Sequence, residues 1–467
     1  MKLENYCWRD RIISRLVHSI VISGLLALGP AVLVLAADKP PKKADPAASC
    51  VSGGCHVSVS DQPHLHWPEI AEPGQCQKCH EQNANLHDFE TKDEAQDCFA
   101  CHDVLALKMQ DARRIHEPAE EDCLDCHDPH GGKVEALLLE VKDEDLGRLC
   151  FNCHEKEIVQ QEYEHGPAAL GACNMCHDPH ASNGASLLLA KGLDLCGGCH
   201  EEVLELIDSA EHIHDPAEDD CTDCHDPHSG PYPKMLFAEK RKLCEECHED
   251  VVKASEKAVV GHDPVTTGDE CLSCHSPHAS NHAPVLKKAQ RDLCLDCHDR
   301  PVESGEDMLI DMAARLRDNK EWHKPVLEDD CSGCHRPHGS ANFRLLKKPF
   351  PSGFYSKFSK ADYGLCFSCH EKELVTVEKS RTVTRFRDRN VNLHFLHVNK
   401  ERRGRTCRAC HAVHASTEPL HVRARVPFGR WLMPINFKKS EVGGSCAPGC
   451  HKRATYSREG ADVSNKN

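Results

Sequence analysis

Aromatic side chains are scarce in this 467-residue chain, at 5 % of positions with only four tryptophans, and there are only seven methionines. The apolar set reaches 39 %, but 31 of its members are cysteines. Without them about 32 % remains, lean against the roughly 45–50 % of ordinary globular domains. Length alone would allow two or three such domains, yet there is too little aliphatic and aromatic material to fill them. Something else must occupy the interior. Basic charge is also short: 57 Lys and Arg face 74 Asp and Glu, a net of −17. That balance weighs against nucleic acid as a partner, because binding it requires a basic footprint. Long apolar runs are limited to one, Leu16 to Ala37, preceded by Arg9, Arg11 and Arg15 and ending in Val34-Leu35-Ala36. It reads as a secretory signal over residues 1–37 that is cleaved near Ala36 or Ala37. A retained membrane anchor is the alternative, since the run is almost long enough to span. Cys7 lies ahead of the run and would leave with the signal. The mature chain is expected to be exported, in a compartment where thiols must be bonded to something. The periplasm is the first expectation, with an outer-membrane-associated or extracellular site as the alternative.

Cysteine and histidine are what the chain has in excess. Apart from Cys7, the cysteines form 15 pairs, each followed directly by histidine. Thirteen are C-x-x-C-H: Cys76 and Cys79 before His80, Cys98 and Cys101 before His102, Cys123 and Cys126 before His127, Cys150 and Cys153 before His154, Cys173 and Cys176 before His177, Cys196 and Cys199 before His200, Cys221 and Cys224 before His225, Cys244 and Cys247 before His248, Cys271 and Cys274 before His275, Cys294 and Cys297 before His298, Cys331 and Cys334 before His335, Cys366 and Cys369 before His370, and Cys407 and Cys410 before His411. Two are stretched, Cys50 and Cys55 before His56, and Cys446 and Cys450 before His451. C-x-x-C-H is the attachment signature of c-type haem: the thiols add to the porphyrin vinyls and the adjacent histidine ligates iron. A disulfide framework gives no reason for the histidine, and zinc knuckles do not obey that rule. About 15 haems c are expected, and their faces supply the missing interior. At the two stretched sites a local disulfide remains the alternative.

A repeat organises these sites. Between residues 111 and 375 a unit recurs five times: H-x-P, a short gap, C-x-x-C-H-x-P-H, a spacer, then L-C-x-x-C-H, with a period near 48–50 residues that lengthens in the fifth copy. Each unit adds two histidines to its two attachment histidines. The upstream ones are His116, His165, His214, His262 and His323; the downstream ones are His130, His180, His228, His278 and His338. Proline keeps the residue before it extended, so the chain leaves the attachment turn and the downstream histidine is expected to point at a neighbouring haem. Ten such residues in register are candidate distal ligands. The remaining five haems can draw on His64, His66, His87, His394, His397, His414 and His421, with His212 and His282 as spares. The preferred additions are His64, His66, His87, His397 and His414, the last two occupying the repeat's places around Cys407. Methionine, the ligand that raises haem potential, recurs at no fixed offset, so closed, low-potential, bis-histidine haems are expected.

The H-x-P and C-H-x-P-H elements resemble the doubled C-x-x-C-H family of multihaem cytochromes, well over residues 111–375 and partially in the flanks. The resemblance implies closely packed bis-histidine haems moving electrons across the cell envelope. It implies redox-protein partners, other cytochromes and an outer-membrane porin–cytochrome conduit among them, with membrane association only through partners or an uncleaved signal. The expected fold is mostly irregular, with short α-helices and few strands, an elongated haem-packed array of two-haem units. The expected segments are 38–110 with three haems, 111–375 with five tandem two-haem repeats, and a basic two-haem end at 376–467. That end carries 19 Lys and Arg against 7 Asp and Glu; the first 375 residues carry 38 against 67. It is either a docking face for an acidic partner or a face folded onto the protein's own propionates. Spacer helices are expected in Asp143–Tyr163 and Glu201–Ala210, and Thr382–Arg387 alternates as a strand does. Phe350, Phe354, Tyr355, Phe358 and Tyr363 enrich one spacer, as an interaction loop or as packing over a haem. No catalytic residue, enzyme activity or small-molecule substrate is expected. A terminal reductase acting on nitrite, hydroxylamine or a sulfur oxyanion through one open haem is the alternative, and an extracellular haem filament a third reading.

Overall fold

A computed structural model describes residues 76–82, 89–91, 95–131, 134–139, 147–305 and 307–462. The signal segment, Cys50, Cys55, His56, His64, His66 and His87 lie outside the described residues. The chain divides into two compact units, Met1–Gln62 with Glu69–Lys92, and Pro63–Pro68 with Asp93–Asn467. In the first, a one-turn 3-10 helix at Cys76–Lys78 leads into the antiparallel pair His80–Gln82 and Phe89–Thr91.

In the second unit, elements are short because so little of any one segment can be buried on its own. Helices such as Glu201–Ser209 occupy the spacers, and the longest, Lys240–Glu256, breaks its geometry at His248. Consecutive repeats are linked through short backbone pairings, mostly strands of two residues. Arg114–Ile115 pairs with Ala181–Ser182, Tyr163–Glu164 with Ser229–Gly230, His212–Ile213 with Ala279–Ser280, and Glu321–Trp322 with Ala415–Ser416; Val260 bridges Ser340. The partner strands carry small side chains, and Ala181, Ser229, Ala279, Ser280, Ser340, Ala415 and Ser416 are all buried. Close approach of two backbones, rather than a hydrophobic face, decides these pairings. Each unit thus touches the next in line, the quasi-one-dimensional logic of a repeat protein.

Among the described residues, large apolar side chains gather near the C-terminal end. Tyr363, Val375 and Val398 are packed with Phe350, Phe358, Phe367, Leu374 and Cys407; Val422, Val426 and Ile435 are packed with Phe354, Cys410, Met433 and Phe437. The aromatic spacer therefore folds inward against an attachment cysteine. Arg425–Phe428 and Trp431–Pro434 form a hairpin, followed by the three-stranded sheet of Lys438–Lys439, Gly443–Cys446 and Ala454–Ser457. The strand expected over Thr382–Arg387 does not form. Only Arg387 enters a strand, Arg387–Asp388, paired with Val391–Asn392. Thr384 instead turns inward, its hydroxyl bonding Nδ1 of His394 at 3.0 Å and accepting from the Phe386 N–H.

Candidate haem-ligating sites

At a regular site the C-x-x-C segment is one tight turn. In the first repeat Cys126 N–H and His127 N–H both donate to the Cys123 carbonyl, at 3.3 and 3.0 Å. In a 3-10 turn the side chains at i and i+3 eclipse, so the two thiols share a face and the histidine follows directly beneath them. The two regular sites ahead of the repeats close the same turn. The N–H of Cys79 donates to the Cys76 carbonyl at 3.2 Å, and those of Cys101 and His102 donate to the Cys98 carbonyl at 3.1 and 3.0 Å. Nδ1 of His80 lies 3.2 Å from the Thr91 hydroxyl across the adjoining strand pair. None of the described cysteines is in a disulfide, Cys79, Cys101, Cys446 and Cys450 included.

The attachment histidine of each first site is then oriented by a carbonyl nine residues on. Nδ1 of His127, His177, His225, His275, His335 and His411 lies 2.7–3.1 Å from the carbonyls of Ala136, Ser186, Lys234, Pro284, Arg344 and Leu420. A carbonyl only accepts, so Nδ1 carries the proton and Nε2 is left bare for a metal. Five of these carbonyls belong to residues with positive φ, each followed by a second such residue: Ala136/Leu137, Ser186/Leu187, Lys234/Met235, Arg344/Leu345 and Leu420/His421. None is glycine. A left-handed conformation costs an L-residue about 1–2 kcal/mol, partly offset when glycine's greater unfolded freedom is counted. Lys234→Gly is therefore expected to raise holoprotein stability by up to about 1 kcal/mol with an unchanged visible spectrum. A fall in the melting temperature would contradict that origin for the turn.

The upstream histidines are held by the next repeat. His116, His165 and His214 donate their backbone N–H to the carbonyls of His180, His228 and His278 at 2.8–2.9 Å, and His323 does so to His414 at 3.0 Å. Their Nδ1 atoms meet the carbonyls of the prolines in C-H-x-P-H: His116 to Pro179, His165 to Pro227, His214 to Pro277 and His262 to Pro337, at 2.7–2.9 Å. Proline thus supplies an acceptor as well as an extended turn.

Among the described residues eleven histidine pairs face each other with ring centroids 6.0–6.4 Å apart and planes within 30°. Within a repeat the upstream ring faces the second attachment ring: His116–His154, His165–His200, His214–His248, His262–His298 and His323–His370. Between repeats the first attachment ring faces the next downstream ring: His127–His180, His177–His228, His225–His278, His275–His338 and His335–His414. The eleventh pair is His394–His411. An imidazole–metal bond is about 2.0–2.1 Å, and a ring centroid lies about 1.1 Å from its nitrogen, so two imidazoles on opposite sides of one ion are about 6.3 Å apart. The spacing, the bare Nε2 atoms and the adjacent thiol pairs fit a c-type haem with two axial histidines. Burial holds the His394 and His414 imidazoles down to about 4, so both stay neutral at pH 7, as ligation requires.

The cysteines join these sites in sequence order. Inside a repeat the second cysteines lie within electrostatic reach: Cys126 of Cys153, Cys176 of Cys199, Cys224 of Cys247, Cys274 of Cys297 and Cys334 of Cys369. Between repeats the first cysteines meet in hydrogen-bond contact: Cys150 with Cys173, Cys196 with Cys221, Cys244 with Cys271, Cys294 with Cys331 and Cys366 with Cys407. Cys410 in turn reaches Cys446 and Cys450. Residues 397–451 therefore behave as a sixth unit. His411 bridges Val422 just as His127 bridges Leu138, and His397 is within electrostatic reach of His451, the upstream-to-second-site relation of the other repeats. The expectation of haem at the two regular sites ahead of Cys123 rests on their C-x-x-C-H turns.

The preferred ligand set omitted His394. Its ring faces His411, the place that a seventh unit's downstream histidine would fill. The signal was its spacing: His394 and His397 are three apart in the helix Leu393–Val398, neighbours on one surface. His130 repeats the backbone geometry of His180 and His228, each N–H bonded to the aspartate two residues back. His102 precedes the helix Asp103–Asp111, and three histidines preferred for this end of the chain, His64, His66 and His87, lie outside the described residues. Of the other candidates for the remaining haems, His421 packs edge-on against His323 with centroids 5.4 Å apart.

A family model described as the doubled CXXCH motif matches five times, at residues 116–158, 165–205, 214–253, 262–303 and 323–374. These five domains cover just under half of the chain. A multiheme cytochrome MtrA from Shewanella baltica (strain OS185) is 30 % identical over 129 residues, 27 % of this chain and 37 % of that protein's length. The chain thus matches little more than a third of that relative.

Proposed function

We propose, from the five doubled CXXCH domains that make this chain a multihaem c-type cytochrome, that it carries electrons across the cell envelope along a row of about 15 haems with two axial histidines each. Each iron would cycle between ferric and ferrous states, and the protein would tune its potential through ligand, burial and nearby charge. The observation that carries the reading is the set of eleven facing histidine pairs, because closed coordination favours electron transfer over substrate binding.

The protein's own residues do the rest. The carbonyls nine residues past each first-site attachment histidine hold its proton at Nδ1, so that Nε2 stays a ligand. The short strand pairs lock each upstream histidine beside the next repeat's downstream histidine, so that successive sites are built together and cannot drift apart. The alternating cysteine contacts keep the attachment points of successive haems adjacent from Cys123 to Cys450. In this reading His394 serves the haem on Cys407 and Cys410, and His397 serves the one on Cys446 and Cys450.

The signal-like segment and the likeness to MtrA support an exported, periplasmic carrier whose partners are other redox proteins, a porin–cytochrome conduit among them. No helix among the described residues is long and apolar enough to cross a membrane. The test is a pyridine haemochrome count per polypeptide, with electron paramagnetic resonance of the oxidised protein. Fifteen haems, all low-spin, are expected. Thirteen would leave both stretched sites without haem. A stoichiometric high-spin signal that shifts with nitrite, hydroxylamine or cyanide would overturn the carrier reading.

A further inference from the structure

The residue between attachment histidine and proline changes along the chain: Asp128, Asp178 and Asp226, then Ser276 and Arg336; in the sixth unit Ala412 follows the histidine and Val413 takes the proline's place. The three aspartates accept the downstream histidine's N–H and stand 3.6, 4.0 and 3.6 Å from its Nδ1. A carboxylate there makes the imidazole a stronger ligand and favours the ferric state. Lys108 pairs with Asp178 and offsets part of its charge; Asp226 has no such cation among the described residues.

The fifth and sixth units reverse the sign. Arg315 and Arg408 lie within electrostatic reach of His414, and Arg344 of His335. Arg423 lies within reach of Arg408 and Arg315, and Arg408 of Arg344. All four are partly buried, and among the described residues none has a carboxylate partner. Nε of Arg344 is buried with no hydrogen-bond partner, and its guanidinium rests over the Phe343 ring at 4.9 Å. Of the acids nearby, Asp329 is paired to Arg291, while Asp330 faces Cys334 and works against the cluster. Desolvated guanidiniums that repel one another require an anion. A haem brings two carboxylates on its propionates.

We propose that Arg315, Arg344, Arg408 and Arg423 form a carboxylate-binding cluster for the propionates of the haem held between His335 and His414, making it the highest-potential centre of the array, while Asp226 depresses the haem between His177 and His228. The charge pattern then biases electrons toward the fifth repeat. This rests on the carrier reading above.

The test is a spectropotentiometric titration of the full-length holoprotein against R344Q/R408Q, R344K/R408K and D226N, with haem count and spin state taken on each. In R344Q/R408Q the reduced-to-oxidised ratio of the highest-potential component is expected to fall about tenfold at fixed potential, a shift of about 59 mV for one electron. The lysine pair should keep most of the wild-type value. D226N should raise a different component and leave the highest one in place. A highest-potential component that does not move in R344Q/R408Q, with all haems present and low-spin, overturns the proposal and leaves the carrier reading standing. A stoichiometric high-spin signal in the wild type that shifts with nitrite, hydroxylamine or cyanide would instead overturn the carrier reading. Should the glutamine pair fail to fold, R315Q and R423Q take the same readout, and no downward shift in either sinks the proposal.

Discussion

Replacing Cys221 and Cys224 by alanine is expected to remove one haem and to split the protein electrically in two. In the intact protein a single electron delivered by pulse radiolysis should spread over the whole row in one fast phase. In C221A/C224A the intact mass should fall by one haem and spin state elsewhere should be unchanged. Equilibration should separate into fast phases on each side of the gap and a crossing phase slower by orders of magnitude. The reason is topological. The first cysteines join Cys196 to Cys221, the second cysteines join Cys224 to Cys247, and each repeat pairs with the next through two-residue strands. A missing link in a linear order has no detour. Equally fast equilibration in the variant would mean that haems approach by routes other than their attachment cysteines, and the sequence-ordered row would be abandoned.

Much of that row was legible in the amino acids, because the chemistry of attachment needs two thiols and an imidazole at fixed spacing. The upstream and downstream histidines could be picked out too, since proline beside each repeats in register. Which histidine meets which site was not legible. The pairing crosses from one repeat to the next through strands such as Arg114–Ile115 with Ala181–Ser182, and two residues carry no usable periodicity. The left-handed turns at Lys234 and Leu420 were equally silent, because neither position holds the glycine that would announce positive φ. At Thr382–Arg387 the alternation was real but the hydroxyl of Thr384 found His394, a local bond that outweighed strand pairing. The scarcity of large apolar residues was a sound guide. Outside the Tyr363 and Val426 clusters, the described residues bury mainly small side chains and leave Leu170 and Leu189 exposed at 79 % and 53 %.

The sharpest separation is expected between two histidines one helical turn apart. His394→Ala should open the haem on Cys407 and Cys410, and His397→Ala the haem on Cys446 and Cys450. Each should convert one low-spin haem to high spin without changing the haem count, and the double variant should show two. The assignment follows from geometry that treats the neighbours differently. His394 faces His411 at 6.4 Å with its Nδ1 bonded to Thr384. His397 bonds Nδ1 to the Leu393 carbonyl at 2.6 Å and stacks at 5.9 Å on Phe386, within reach of His451. The Leu393 carbonyl only accepts, so it holds the His397 proton at Nδ1 and leaves Nε2 bare, and the Thr384 hydroxyl can accept the His394 Nδ1 proton to the same effect. A third variant, C446S/C450S, makes the two readings separable: it should lose one haem outright, and adding His397→Ala to it should change nothing further in the spin count. If His397→Ala still produces a high-spin haem in that background, His397 serves a different site and the sixth unit is not complete. If C446S/C450S keeps the full haem count, the stretched pair never held one, and the row ends at Cys410.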